Sequence, residues 1–389
     1  MAPTFSSDES SETIELQQQV IRLQALLETS RQIHGTIKLD EVLTTILRIV
    51  VRELEMEGAL IESPRMQYGT MPEEPWTGCA RFPLTDRAGR DLTTLLVSTP
   101  EGRDLTLYEQ DFLEGLAIQA ASAVENARYH EKSLGWARVE QDLDAARAIQ
   151  RSLLPQAAPD IAGYSIGFRS SACYEVGGDY LDIFALPTGE QIMVVADVAG
   201  KGLASAIVSV AFRSAFRAMA ATVGGSLSEL AARISQQHWN EGQESRRRYV
   251  TAIFLKLDPA AHRLEILNAG HNDGFLVSPD GNTRAVEASG PPLGILPGTR
   301  YTSETFDFEE GTRLLFYTDG LTEVFRPDDE EFGPERLLQH FRQCVEPDSA
   351  LMLESVWQAL ADFAGEIKQQ DDMTALALHR IPAAREAAA

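Results

Sequence analysis

The sequence predicts an α+β fold in which two β-sheets are covered by helices. Nine strand-like segments follow residue 160, and two pairs of helical segments divide them into groups. The helix pairs are Leu203–Ala221 with Leu227–Trp239, and Pro334–Val345 with Ser349–Lys368. Because helices and strands do not alternate, the order disfavours a doubly wound parallel sheet.

The strand-like segments are apolar runs bounded by turn residues. They are Ser165–Ser170, Tyr180–Leu186, Gln191–Asp197, Tyr249–Leu257, Arg263–Asn268, Gly274–Val277, Thr302–Phe308, Arg313–Tyr317 and Met373–His379.

The first 34 residues divide into a polar tail and a helix. Residues 1–11 are rich in Ser and Glu, which predicts disorder. Residues 12–34 are predicted to be helical, because apolar side chains recur in steps of four and three at Leu16, Val20, Leu23 and Leu27.

A small α/β module is predicted over residues 35–130. Asp40 is the expected N-cap of a helix that runs to about Met56, and strand-like, turn-rich residues follow. A second helix starts near Leu107. The stretch Leu107–Tyr129, which ends in Ala-Val-Glu-Asn-Ala-Arg-Tyr, resembles a GAF sensor domain with a shortened strand region.

Residues 131–156 are predicted to form a helical connector. A heptad seam runs through Trp136, Val139, Leu143, Ala146, Gln150 and Leu153, and Pro155 stops the helix. Ala146 and Gln150 weaken the seam, because one is small and the other polar. The pattern favours a connector that pairs in a homodimer, and the alternative is a helix that packs on its own domain.

The composition excludes several classes of protein. The net charge of −24 argues against a nucleic-acid surface, which needs clustered Lys and Arg. The three cysteines lack CxxC spacing and suit a reducing compartment. No apolar run approaches the ~18 residues of a membrane span, and the polar N-terminus does not resemble a signal peptide. We therefore expect a cytoplasmic protein with no membrane or nucleic-acid partner.

Four short acidic segments each lie at the boundary of an apolar segment. They are Gly177-Gly178-Asp179-Tyr180, Ala196-Asp197-Val198-Ala199-Gly200-Lys201-Gly202, Tyr317-Thr318-Asp319-Gly320 and Asp371-Asp372-Met373-Thr374. Each acid alone has an ordinary explanation as a helix cap, a turn residue or a surface charge. Converging strands would bring the carboxylates together, and a divalent cation is the usual remedy for their repulsion.

These segments resemble the motifs of the metal-dependent protein phosphatases of type 2C, and most closely the bacterial SpoIIE/RsbU branch. Three further segments match in the family's order: Ala148–Pro155, Asn268–Asn272 and Gly290–Gly294. The resemblance implies an αββα sandwich over residues 157–382. It also implies a centre of two Mn²⁺ or Mg²⁺ ions.

The resemblance further implies which residues bind the metals. Asp179 and Asp197 should contact or bridge them, the backbone carbonyl of Val198 should contribute, and Asp319 and Asp371 should complete the set. Asp372 remains open as the direct ligand in place of Asp371, or as a residue that orients its neighbour. All of Asp179, Asp197, Asp319 and Asp371 are therefore expected to be catalytic.

The implied activity is hydrolysis of phosphoserine or phosphothreonine, on an anti-sigma-factor antagonist of the STAS fold. Two divalent ions lower the pKa of a shared water and hold the phosphoryl oxygens for in-line attack. Such hard cations prefer carboxylate and carbonyl oxygens.

Two other functions remain to be weighed. One is a catalytically weak pseudophosphatase that acts as a scaffold. The acidic segments disfavour this function, because a cluster of acids without a bound metal would lower stability through charge repulsion. The other is a different two-metal hydrolase such as a phosphodiesterase, which the absence of His-rich metal motifs disfavours. His271 is expected to be structural rather than a general acid.

Overall fold

The computed structural model describes residues 24–25, 27–222, 226–344 and 346–382. The predicted tail 1–11 and most of the predicted helix 12–34 lie outside these residues, although 27–33 are helical. The chain divides into two compact units between Gln141 and Asp142. The predicted domain boundaries remain predictions.

Among its described residues, the first unit contains a four-stranded antiparallel sheet, the helical residues 27–33 and two longer helices, the second of which continues past Gln141. The strand order is β2-β1-β4-β3. The elements are α1 (Leu39–Glu53), β1 (Gly58–Ile61), β2 (Met66–Gly69), β3 (Ala80–Thr85), β4 (Asp91–Ser98) and α2 (Leu107–Leu153). The GAF-like interpretation of this unit stays a prediction.

Helix α1 buries the apolar face that its sequence predicts. Leu43, Ile46 and Val50 are fully buried in the core of the unit. The predicted N-cap at Asp40 is wrong, since the helix begins at Leu39 after an extended Lys38 that makes no side-chain cap. Asp40 instead lies in the first turn, where its negative charge interacts favourably with the positive end of the helix dipole.

Helix α2 is one continuous helix of 47 residues. It opens with a capping box, in which Thr106 and Glu109 each accept a hydrogen bond from the backbone N–H of the other. It ends two residues before Pro155, as the sequence predicts.

The second unit is built on two five-stranded sheets. Their strand orders are β11-β10-β13-β14-β5 and β12-β9-β8-β7-β6. The strands are β5 (Tyr164–Ser171), β6 (Tyr180–Ala185), β7 (Gln191–Val198), β8 (Val250–Asp258), β9 (Arg263–Ala269), β10 (Gly274–Val277), β11 (Thr283–Val286), β12 (Glu304–Asp307), β13 (Arg313–Tyr317) and β14 (Met373–Arg380).

Helices cover the outer face of each sheet. They are α3 (Leu203–Ala220), α4 (Leu227–Asn240), α5 (Gln243–Arg247), α6 (Gly333–Gln343) and α7 (Ser349–Ala364). One apolar core lies between the sheets, a second packs α3 and α4 on the sheet of β6 to β9, and a third packs α6 and α7 on the other sheet. The predicted αββα sandwich is confirmed.

Three local features differ from the sequence expectations. Strand β11 and the short helix α5 have no predicted counterpart. Helix α7 ends at Ala364 rather than Lys368, because Gly365 adopts a left-handed φ of 59°.

Helix α3 contradicts the expectation that no apolar segment reaches the length of a membrane span. Among the described residues it alone is long and apolar enough for one, judged by length and composition. However, Phe212 and Phe216 on α3 belong to the core, and Arg217 pairs with the fully buried Asp182. The helix is therefore one layer of the folded unit.

Candidate metal centre

The sheet topology brings all four acidic segments to one end of the sandwich. Asp179 directly precedes β6, and Asp197 lies at the end of β7, its antiparallel partner. Asp319 closely follows β13, and Asp371 closely precedes β14, which are also antiparallel partners. Because the two sheets face each other, the paired strand ends place these carboxylates at one edge.

The glycines before Asp179 allow a close approach between chain segments. A Cβ on Gly177 would lie 2.5 Å from Oδ2 of Asp372, and one on Gly178 would lie 3.0 Å from the carbonyl oxygen of Val198. Both separations are too short for ordinary contacts. The Gly-Gly pair therefore lets the Asp179 loop run between Asp372 and the Val198 carbonyl.

Asp371 and Asp372 have different environments although they are adjacent. The carboxylate of Asp372 accepts hydrogen bonds from the backbone N–H of Cys173 at 2.8 Å and of Gly178 at 2.6 Å. The carboxylate of Asp371 lines a cavity together with Asp197 and Asp319. Asp372 thus fixes the loop that precedes Asp179, and Asp371 faces the cavity.

Thr318 connects both sheet ends through its hydroxyl group. It is fully buried, donates to Oδ2 of Asp179 at 2.8 Å, and accepts from the backbone N–H of Thr374 at 2.9 Å. The backbone N–H of Thr318 donates to the carbonyl of Thr374 at 2.9 Å. Thr318 therefore sets the position of one carboxylate from the segment that carries another.

Besides a cavity of about 520 Å³ that Asp319 alone of these acids lines, two cavities adjoin the acids. One of about 270 Å³ is lined by Asp197, Asp319 and Asp371. The other, of about 350 Å³, is lined by Asp179 and Asp372 together with residues from the end of α2. The predicted residues therefore lie at one end of the fold but do not all face a single cavity.

Burial and mutual repulsion hold Asp179, Asp197 and Asp319 toward their neutral forms. Burial, then the charges of Asp197 and Asp372, raises the pKa of Asp179 well above its ordinary value. Burial, then the charges of Asp319, Asp371 and Asp372, raises the pKa of Asp197 to about 7. Burial and Asp371 also raise the pKa of Asp319. Each shift favours a proton or a cation at the site.

Lys201 places a positive charge at this edge. Its Nζ lies 2.6 Å from Oδ2 of Asp371 and donates to the backbone carbonyl of Gln370 at 3.0 Å. Its aliphatic stem starts from the loop between Asp197 and helix α3. The ammonium group therefore neutralises one carboxylate of the cluster from within the chain.

His271 lies beside the cluster as a buried neutral ring. Its Nε2 donates to the carbonyl of Tyr317 at 3.0 Å, so its Nδ1 accepts from the hydroxyl of Thr251 at 2.8 Å. Burial lowers the pKa of His271 to about 4. Both ring nitrogens are occupied, which supports a structural role.

The acids offer the oxygen atoms that a hard divalent cation prefers, although their side chains are not arranged in the geometry of a metal site. Among the described residues, no three Asp, Glu, His or Cys side chains are set to hold a metal ion as they stand. The available donors are carboxylate oxygens and the Val198 carbonyl, which hard cations prefer. Burial and repulsion between neighbouring carboxylates raise the pKa values of Asp179 and Asp197, and a bound cation would offset that repulsion. The metal-ligand roles remain predictions.

The fold and these acids agree with the family comparison. The family model described as Stage II sporulation protein E (SpoIIE) matches residues 187–381, just over half of the chain. The chain belongs to the SpoIIE family. The predicted resemblance is thereby confirmed, and the matched range of this SpoIIE-family chain contains Asp197, Asp319 and Asp371, whereas Asp179 precedes it.

Two curated relatives from Bacillus subtilis (strain 168) carry the name phosphoserine phosphatase. RsbP is 28% identical over 188 residues, which cover 47% of this chain and 45% of RsbP. RsbU is 24% identical over 300 residues, which cover 74% of this chain and 83% of RsbU. The chain thus spans less than half the length of RsbP.

A solved structure shares the fold of the second unit. The PP2C domain of SiaA from Pseudomonas aeruginosa aligns with a TM-score of 0.56 and 20% identity. The alignment covers 64% of this chain and 99% of the SiaA domain.

Proposed function

We propose that this chain is a metal-dependent protein-serine/threonine phosphatase. The observation that carries the proposal is the convergence of Asp179, Asp197, Asp319 and Asp371 at one edge of a PP2C-like sandwich. Membership of the SpoIIE family and the names of RsbP and RsbU support it.

The residues that would hold two Mn²⁺ or Mg²⁺ ions are these four acids with the Val198 carbonyl. When bound, such ions lower the pKa of a water and neutralise charge on a phosphoryl group. The chain itself supplies the arrangement: Thr318 orients Asp179, and Asp372 fixes the preceding glycines.

The proposed substrate is phosphoserine or phosphothreonine in a STAS-type anti-sigma-factor antagonist. This finer assignment rests on the resemblance to the SpoIIE/RsbU branch, and the word phosphoserine in the names of RsbP and RsbU supports its chemical class. We also propose a cytoplasmic location, which the three free cysteines support.

We propose that the N-terminal module regulates the phosphatase through α2 and that α2 pairs in a homodimer. Trp136 and Val139, two predicted seam positions, are 74% and 50% exposed in the single chain. Exposed apolar side chains at heptad spacing suit a second copy of the same helix. Movement of α2 would then alter the site through α3, which starts just after Asp197.

The test is hydrolysis of an aryl phosphate and of a phosphoserine protein, with and without Mn²⁺. Wild type should require added metal, and Asp179→Asn and Asp319→Asn should each abolish nearly all activity. Metal-independent hydrolysis, or full activity in either variant, would rule out the two-metal assignment.

The alternative is a catalytically weak pseudophosphatase that scaffolds a partner-switching complex. The ion pair between Lys201 and Asp371 favours this alternative, because it occupies a carboxylate that the metals need. A scaffold would bind the phosphorylated partner without hydrolysing it at any Mn²⁺ concentration. Metal-dependent release of phosphate from that partner would exclude this alternative.

A further inference from the structure

The last turns of α2 contact the Asp179 loop through one side-chain amide. Nε2 of Gln150 donates to the carbonyl of Gly177 at 2.7 Å, and the backbone N–H of Gly177 donates to Oε1 of Gln150 at 3.1 Å. Both ends of the amide are therefore used on one residue. This two-point contact restricts the position and the orientation of the Gly177 peptide groups.

The same loop is held from its other side by Asp372. The N–H of Gly178 donates to Oδ2 of Asp372 at 2.6 Å. Successive residues of the loop are thus held by Gln150 and by Asp372, and Asp179 is the next residue. Because Asp179 directly follows Gly178, the position of its carboxylate depends on both contacts.

Neighbouring contacts anchor this end of the helix, which belongs to the second unit, to the rest of that unit. Nε of Arg147 donates to the carbonyl of Glu175 at 2.6 Å, and Nε of Arg213 on α3 donates to the carbonyl of Leu153 at 3.1 Å. Gln150 differs from both, since it alone of the three contacts Gly177. The polar side chain that weakens a predicted heptad seam is therefore used within the chain.

We propose that Gln150 is a positioning residue for the predicted metal ligand Asp179, so that metal affinity depends on the docking of the last turns of α2. The inference rests on the proposed function but goes beyond it, because it assigns a role to a helix residue outside the range that the family model matches. Gln150 is not among the predicted metal ligands, and it acts through the peptide groups of Gly177.

The experiment measures binding of Mn²⁺ alone to the full chain by titration calorimetry. Gln150→Met keeps the length of the side chain and removes both hydrogen bonds. Gln141→Met is the matched control, since Gln141 is an exposed glutamine on the same helix. The net free energy that one hydrogen bond contributes is modest. We therefore expect the Kd for Mn²⁺ to rise about 3- to 10-fold in Gln150→Met and to stay unchanged in the control.

A second readout follows amide hydrogen exchange at Gly178. Gly178 donates to Asp372 and not to Gln150, so faster exchange there in Gln150→Met reports release of the loop rather than loss of the mutated contact itself. Gln150→Glu is the second variant, because its carboxylate still accepts from Gly177 but cannot donate to the Gly177 carbonyl. We expect it to weaken Mn²⁺ binding as well.

The outcomes separate this inference from the proposed function. If wild type and Gln150→Met bind Mn²⁺ equally and exchange at Gly178 is unchanged, the positioning role is wrong, whatever the melting temperature does. If wild type itself binds no Mn²⁺, the two-metal proposal fails and this inference fails with it. A raised Kd with faster exchange at Gly178 supports the positioning role.

Discussion

The two sides of the acidic site are held in different ways. Around Asp179, Thr318 donates a hydrogen bond to the carboxylate, Gln150 donates to the carbonyl of Gly177, and Asp372 accepts from the N–H of Gly178. Around Asp371 the main contact is an ion pair with Lys201, whose side chain is half exposed. The Asp179 side is held by several directed hydrogen bonds, whereas on the Asp371 side the ion pair is joined by one hydrogen bond, from the N–H of Asp372 to Oδ1 of Asp371 at 2.9 Å.

This contrast indicates which parts of the site are prearranged. Directed hydrogen bonds to backbone groups fix geometry, whereas an ion pair to an exposed lysine contributes little stability. Binding of a divalent ion should therefore change the Asp371 side more than the Asp179 side. Four measurements test this contrast.

The largest expected effect separates the two adjacent acids. Asp371→Asn should lose more than about 100-fold in activity with little loss of stability, because the change removes a charge that faces the cavity. Asp372→Asn should lose about 10- to 100-fold and also lose about 1–3 kcal/mol of unfolding free energy, because one backbone N–H loses its acceptor.

Phosphate release and urea unfolding of both variants measure these effects. Equal losses of stability in the two variants would show that Asp371 and Asp372 do not have different roles at the site.

The second prediction concerns the close approach at Gly177. Gly177→Ala should destabilise the protein by about 1–3 kcal/mol and weaken Mn²⁺ binding, because the new Cβ would displace Asp372 from its two N–H donors. Gly135→Ala, in α2 with nothing near its Cβ, is the control and should be neutral or stabilising. Urea unfolding checks both, and an unperturbed Gly177→Ala would contradict the tight packing.

The third prediction is a pH dependence of stability without metal. The folded pKa of Asp197 is raised to about 7 from an ordinary 3.8, so the folded state binds more protons between these values. Stability from this group is therefore present at low pH and is lost as the pH rises toward 7. In EDTA, the free energy of unfolding should fall by about 2 kcal/mol between pH 5 and pH 7 from this group.

Asp197→Asn is the control for this measurement, and it should flatten the profile. A wild-type profile that rises over the same interval, parallel to that of Asp197→Asn, would contradict the raised pKa.

The smallest expected effect is at Lys201. Lys201→Met removes the ammonium that pairs with Asp371, so Mn²⁺ should bind about 2- to 5-fold more tightly, as expected for a weak, partly exposed ion pair. Calorimetry with Mn²⁺ checks it, and Lys368→Met, a lysine outside this ion pair, is the control. Weaker Mn²⁺ binding in Lys201→Met would show that the lysine supports the site rather than competing for it.

Much of the fold follows from the sequence because burial of one face imposes a regular spacing on the apolar residues of each strand and helix. The apolar runs before Asp197 and Asp319 predict β7 and β13, and the acids at their ends predict the edge where they meet. The predicted cap at Asp40 was wrong because the helix starts at Leu39 without a side-chain cap, so backbone geometry and not a capping residue type sets its start.

The finer structure of the site depends on contacts between distant segments, which no local pattern encodes. Asp371 and Asp372 are the same residue type at adjacent positions, and their contacts with Lys201 on one side and with the N–H groups of Cys173 and Gly178 on the other distinguish them. The spacing places Gln150 in a weak heptad seam, yet its hydrogen-bond partner Gly177 lies in the loop before β6. The polar side chain of Gln150 at a predicted seam position is the sequence signal that could have indicated such a contact.

The most direct test of the shared acidic site is the number of Mn²⁺ ions that bind per chain, measured by calorimetry in wild type and in Asp319→Asn. The proposed site predicts two ions in wild type and a loss of at least one in the variant. Binding of no Mn²⁺ by wild type, or unchanged number and affinity in Asp319→Asn, would contradict it.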